Sequence, residues 1–173
     1  MNTLQTLLRT PNRRIAVFAL LVLGLDQLTK AIVLRLLGYG DERVVISGFF
    51  KFVHLVNTGA AWSMFTGNNG VLAIIAVAAI VVLYLSRHHF NSHTFVGQLA
   101  FGLIFGGILG NLTDRIFRQH VIDFLYFYIQ QRGGRELAFP AFNVADSAIC
   151  IGVGLVFIIT WKSEHTPRPA GTN

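Results

Sequence analysis

Hydrophobic positions along this chain collect into four long runs, at about residues 15–37, 70–86, 94–112 and 139–161. Each run is close to the roughly 20 residues a helix needs to cross a hydrocarbon core about 30 Å thick. Lipid offers no hydrogen-bond partners, so such segments must satisfy their own backbone, and all four are predicted to be transmembrane helices. The run from Thr94 to Leu112 contains no ionisable residue. The first run follows Arg13-Arg14 and so imitates a secretory signal peptide. No small-x-small cleavage site follows it, however, and the apolar pattern resumes after Lys30, so it reads as a span.

The intervals between the runs differ in character. Residues 38 to 69 carry Val44-Val45-Ile46, Gly48-Phe49-Phe50 and Phe52-Val53-His54-Leu55-Val56. These β-favouring residues punctuated by glycine predict a small sheet at the membrane face. Residues 116 to 138 carry the aromatic stretch Phe124-Leu125-Tyr126-Phe127-Tyr128 and then a polar turn from Gln130 to Arg135. This reads as an interfacial segment with a flexible tip. The first ten or so residues and the tail from about Ser163 are expected to be disordered. The predicted architecture is therefore mostly α and integral to the membrane: four transmembrane helices, a small β cradle and an interfacial segment at one face. It forms one domain over residues 1–173.

Composition agrees with this pattern. The 173 residues are 53% hydrophobic and 13% charged, about half the charged fraction of a soluble domain. Mean hydropathy is +0.58. The formal charge of +6 would suit nucleic acid, but the fourteen Lys and Arg are scattered without a basic block or recognition motif, which argues against such a partner. Anchoring at an anionic membrane surface accounts for them, at about 1 kcal/mol per basic residue. Basic residues are balanced between the two sides, so they do not decide orientation. Cys150 is the only cysteine, which rules out an internal disulfide and reads as a small hydrophobe in a helix. The six histidines lack metal-ligand spacing, and no metal or cofactor is expected. Trp62 and Trp161 read as interfacial anchors.

The informative residues are the charges in or beside the spans, since each costs at least about 2.5 kcal/mol to insert. Asp26 and Lys30 lie four apart on one helical face and can pair, either as plain neutralisation or in support of a site. In Gly110-Asn111-Leu112-Thr113-Asp114-Arg115, helical spacing draws Asn111, Asp114 and Arg115 together at one helix end. Ordinary helix termination explains the two charges but leaves the Asn111 amide needing partners. Asp123 sits in Val121-Ile122-Asp123-Phe124-Leu125, between apolar neighbours. Asp146 follows Asn143 by one turn near the start of the fourth span, where the helix dipole alone would favour a carboxylate. The third span ends and the fourth begins on the same membrane face, so both carboxylates approach one region. Two carboxylates in a low-dielectric site share a proton, one serving as base and the other as acid towards a water between them. Asn57, before Thr58-Gly59-Ala60-Ala61-Trp62, either shapes a turn or binds substrate backbone.

Five segments in this order carry a resemblance: Asp26-Gln27-Leu28-Thr29-Lys30, Asn57 to Trp62, Gly110 to Arg115, Val121-Ile122-Asp123-Phe124 and Phe142-Asn143-Val144-Ala145-Asp146. Together, from about Asp26 to Gly154, they resemble the lipoprotein signal peptidase (signal peptidase II) family. The resemblance implies four transmembrane helices with both ends in the cytoplasm of a bacterial inner membrane, a β cradle and a site at the outer face. It implies an aspartic endopeptidase that removes signal peptides from diacylglyceryl-cysteine prolipoproteins; the chain is expected to be a monomer in membrane lipid. It maps a catalytic dyad onto Asp123 and Asp146, places Asn57, Asn111, Arg115 and Asn143 where they position substrate or orient the dyad, and makes Asp26, Lys30 and Asp114 supports. The aromatic stretch from Phe124 to Tyr128 would cover an apolar cleft as a lid. Two departures stand out: Trp62 where Phe is expected, and Arg118-Gln119-His120 where a glycine is common. The rival readings are a small membrane transporter component, which predicts charges spread through the bilayer depth, and a non-enzymatic membrane assembly factor. No Ser lies in a Gly-x-Ser-x-Gly elbow, so a serine protease is not supported.

Overall fold

The computed structural model describes residues 10–59, 67–90, 92–131 and 135–165. Four helices long and apolar enough to cross a bilayer dominate it: α1 (Pro11–Leu36), α2 (Asn69–Ser86), α3 (Phe95–Phe117) and α4 (Val144–His165). The protein is thus a mostly helical, integral membrane protein with a small sheet. Trp62, most of the polar turn (132–134) and the two chain ends expected to be disordered (1–9 and 166–173) lie outside the described residues. Helix α4 continues through Ser163 to His165, so the tail begins later than the sequence suggests.

Helix α3 is the hub. It packs against α1, α2 and α4, and α2 is held mainly by α3. Leu72 of α2 is buried and Ile80 and Leu83 pack against the core, whereas most of the helix's other apolar side chains are exposed, as suits a helix in lipid. Close approach of α1 and α3 rests on glycines spaced by four, Gly102, Gly106 and Gly110. A Cβ at Gly106 would sit 2.6 Å from the Ala19 carbonyl oxygen on α1. Without a hydrophobic drive between helices in lipid, such close backbone packing is what holds them together.

Four antiparallel strands, β1 (Glu42–Ile46), β2 (Phe50–Asn57), β3 (Val121–Gln130) and β4 (Glu136–Ala138), pair in chain order. The stretch Phe124 to Tyr128 is therefore not a separate lid; it is the middle of β3, hydrogen-bonded to β2. Its aromatic residues suit a pleated, half-buried surface. Lys51 ties the strands together on one side. It is nearly buried, pairs with Glu42 at 2.7 Å and Glu136 at 3.1 Å, and lies over the rings of Tyr126 and Tyr128. The two carboxylates outweigh burial and hold its pKa above the usual lysine value.

Two junctions set the site. Between α3 and β3 the chain turns sharply at Gln119, which takes φ of 65°, a left-handed conformation that glycine adopts more readily. Gln119 lies within Arg118-Gln119-His120, the stretch where the sequence departs from an expected glycine. Between β4 and α4, the apolar run from Phe139 does not yet form helix. Pro140 disfavours helix at the residue before it. Phe142 instead pairs with β3: its carbonyl accepts from the N–H groups of Phe124 (3.0 Å) and Leu125 (2.8 Å). That contact fixes the start of α4 beside Asp123.

Candidate active site

Asp123 projects from β3 and is buried. Its neighbours Ile122 and Phe124 pack with Val33 on α1, so by strand alternation Asp123 faces the other way. Asn57, at the end of β2, donates to its Oδ2 at 2.9 Å, while the Asn57 Oδ1 accepts from the Gly59 N–H at 2.9 Å. That local turn orients the amide with its donor towards Asp123.

Asn143 immediately precedes α4 and joins the two carboxylates. Its side-chain Nδ2 donates to Asp123 Oδ1 at 2.8 Å, and its backbone N–H donates to Asp146 Oδ2 at 3.1 Å. In return its Oδ1 accepts from the Asp146 N–H at 2.9 Å. Reciprocal bonds between the residue before a helix and the third residue within it form a capping box. The helix-terminus reading of Asp146 is thus part of the picture: the same carboxylate caps α4 and faces the site. Its second oxygen accepts from Asn111 Nδ2 on α3 at 2.7 Å.

Asn111 connects this pair to a buried ionic cluster. Its Oδ1 accepts from Lys30 Nζ at 3.0 Å and from Asn143 Nδ2 at 3.2 Å. Lys30 is wholly buried and lies 2.8 Å from both Asp26 and Asp114, which are wholly buried too. Asp26 also accepts from the Ala145 N–H at 3.0 Å, so α1 helps cap α4. Arg118 pairs with Asp114, and Gln27 donates to both Asp26 (3.2 Å) and Asp114 (3.1 Å). Among the described residues no buried side-chain nitrogen or oxygen lacks a partner, as such a cluster requires.

The helical spacing of Asn111, Asp114 and Arg115 does not hold them in one group. Asn111 and Asp114 face Lys30, whereas Arg115 turns to the Gly59 carbonyl (2.8 Å) and Asn69 Oδ1 (3.2 Å). It contacts neither Asp123 nor Asp146 directly but acts on both through its charge. Asn69, Gln27 and Arg118 belong to the site region and were not singled out from the sequence. The i,i+4 spacing of Asp114 and Arg118 is the signal that could have found one of them. All these charges gather at one end of the bundle, where α1 and α3 end and α4 begins, rather than through the bilayer depth.

The charge balance bears on the chemistry. Lys30, Arg115 and Arg118 supply three positive charges against the four carboxylates Asp26, Asp114, Asp123 and Asp146. One proton on these carboxyls would make the group neutral. Asp123 is pushed up to about 7, first by its loss of solvent and next by the charge of Asp146; hydrogen bonds from Asn57 and Asn143 pull the other way. Buried carboxyls with a shared proton can perform general acid and base catalysis in one step.

The family model described as signal peptidase (SPase) II matches residues 18–162. A lipoprotein signal peptidase of Anoxybacillus flavithermus (strain DSM 21510 / WK1) is 39% identical over 148 residues, 84% of each chain. That of Azoarcus sp. (strain BH72) is 41% identical over 156 residues, 88% of this chain and 85% of the relative. A bacterial membrane enzyme solved by the in meso method at 2.3 Å resolution superposes with a TM-score of 0.79 at 30% identity, covering 92% of this chain and 94% of that one.

Proposed function

The chain belongs to the signal peptidase II family, and from that premise we propose that it is an aspartic endopeptidase cleaving signal peptides from bacterial prolipoproteins. The bond cut lies immediately before a diacylglyceryl-modified cysteine. The enzyme is a monomer in the inner membrane, with both termini cytoplasmic and the site at the outer face. The observation that carries the mechanism is the bridge through Asn143, whose side-chain amide donates to Asp123 at 2.8 Å and whose backbone N–H donates to Asp146 at 3.1 Å.

Asp146 is the resting base. It sits in the first turn of α4, where the helix dipole favours negative charge. Asp123 carries the shared proton. A water between them gives a proton to Asp146 as its oxygen bonds to the scissile carbonyl carbon, while Asp123 donates to the carbonyl oxygen. Collapse of the tetrahedral intermediate breaks the C–N bond as Asp146 gives its proton to the leaving amine and Asp123 takes back a hydroxyl proton, leaving the carboxylic acid product. Asn57, Asn111 and Asn143 keep the carboxyls aimed. Arg115 holds the Gly59 segment beside the dyad, where substrate backbone would run. Lys30, Asp26 and Asp114 keep Asn111 and the start of α4 in place.

The substrate half of this reading is tested by incubating the purified protein with a synthetic prolipoprotein peptide, with and without the diacylglyceryl group. Cleavage before the modified cysteine alone is expected. Equal cutting of both peptides, or none by folded protein, would overturn it.

A further inference from the structure

A cavity of about 510 Å³ lies between α1 and the sheet, within the roughly 300–1,000 Å³ of small-molecule sites. Ile32, Val33 and Leu36 on α1, Val45 on β1, Phe52 on β2 and Phe124 on β3 form most of its wall. Val33 and Phe124 belong to the cluster on the side of β3 that Asp123 faces away from. The cavity is therefore separate from the dyad.

Its single ionic group is Arg43 on β1. Arg43 is exposed and has no hydrogen-bond or ion-pair partner among the described residues. Its neighbour Glu42 does not neutralise it, because Glu42 is engaged with Lys51 at 2.7 Å. No carboxylate lines the cavity. The Thr29 hydroxyl is also occupied, donating to backbone oxygens of its own helix. What remains is an apolar hollow beside a membrane-spanning helix, with one unpaired guanidinium at its rim. Guanidinium groups bind phosphate oxygens in bidentate fashion.

We propose that this cavity holds an acyl chain of a resident anionic phospholipid, with the phosphate on Arg43. On the reading above, the substrate's own acyl chains leave from the residue beside the scissile bond, on the other side of β3, and so are not the occupant. The lipid would fasten the exposed edge strand β1 to α1, and through it the sheet that carries Asp123.

Native mass spectrometry of the detergent-purified full chain, titrated with dioleoyl phosphatidylglycerol, tests this. One saturable adduct is expected. Arg43→Gln should weaken it about tenfold or more, by loss of a charge-assisted contact, and dioleoylglycerol, which lacks the phosphate, should bind as weakly to wild type. Val45→Trp, a change on the exposed edge strand, should fill the hollow and abolish the adduct, with circular dichroism confirming the fold of each variant. Asp123→Asn should retain it, which separates this site from the dyad. Equal binding by all variants overturns the proposal, as does displacement of the phospholipid by a stoichiometric diacylglyceryl-cysteine peptide.

Discussion

Replacing Asp123 by Asn should make the folded protein less sensitive to pH, and above neutrality it should make it more stable. In the unfolded chain an Asp ionises near its ordinary value of 3.8, whereas in the fold Asp123 ionises at about 7. A pKa raised on folding gives stability that is complete below the unfolded value and is lost as pH rises through the folded one. At about 1.4 kcal/mol per unit, a change from pH 5 to pH 8 should cost the wild type about 2.5 kcal/mol at this residue. Asn cannot ionise, so that slope disappears. The substitution has its own cost. Asp123 accepts from two amide donors, Asn57 and Asn143, and each of those amides is held by a second contact, to Gly59 and to Asp146. An Asn offers only one acceptor oxygen, leaving one donor facing a donor, at about 1–3 kcal/mol. Asp123→Asn should therefore be neutral or destabilising at pH 5 and stabilising at pH 8. The assay is thermal or denaturant unfolding of both proteins in one detergent at the two pH values. If the two proteins lose stability in parallel between pH 5 and pH 8, Asp123 does not carry the proton and the argument fails.

Two further outcomes follow from the surrounding structure. Lys30→Met should leave Asp26 a buried charge without a cationic partner and Asp114 with Arg118 alone, and destabilise by about 3–5 kcal/mol, with partial recovery when Asp26→Asn is added; a loss under about 1 kcal/mol in unfolding experiments would mean the cluster is not ionised as described. Gln119→Gly should stabilise the protein by about 1 kcal/mol, because it relieves a left-handed backbone at the α3–β3 turn, and an unchanged or lower unfolding midpoint would show that the side-chain bonds of Gln119 to Ile116 and Asn69 matter more.

The helices were legible because membrane thickness imposes a length that hydropathy displays directly. Their ends were less so, since α4 starts at Val144 rather than Phe139 only because Phe142 pairs with β3. Phe124 to Tyr128 illustrates the same limit: an apolar, aromatic stretch has one composition whether it lies at an interface or pairs in a sheet, and only its partner strand decides. Within the site, Asp123 and Asp146 stood out because carboxylates among apolar neighbours need a reason. The double role of Asn143 was hidden, as it depends on where β3 delivers Asp123. Gln27, Arg118 and Asn69 were hidden for a similar reason. Uncharged amides and a basic residue just past a span look ordinary until the helices they bridge are assembled. Arg115 shows the converse, since neighbours in sequence at one helix end turned to different partners.

Single-turnover cleavage of a diacylglyceryl prolipoprotein by wild type, Asp123→Asn and Asp146→Asn, each confirmed folded in detergent, tests the dyad most directly. Either substitution should slow cleavage by at least about 10²–10⁴-fold, the contribution of a positioned acid or base. Wild-type rates in either folded variant would contradict the assignment of these two carboxyls as the catalytic pair.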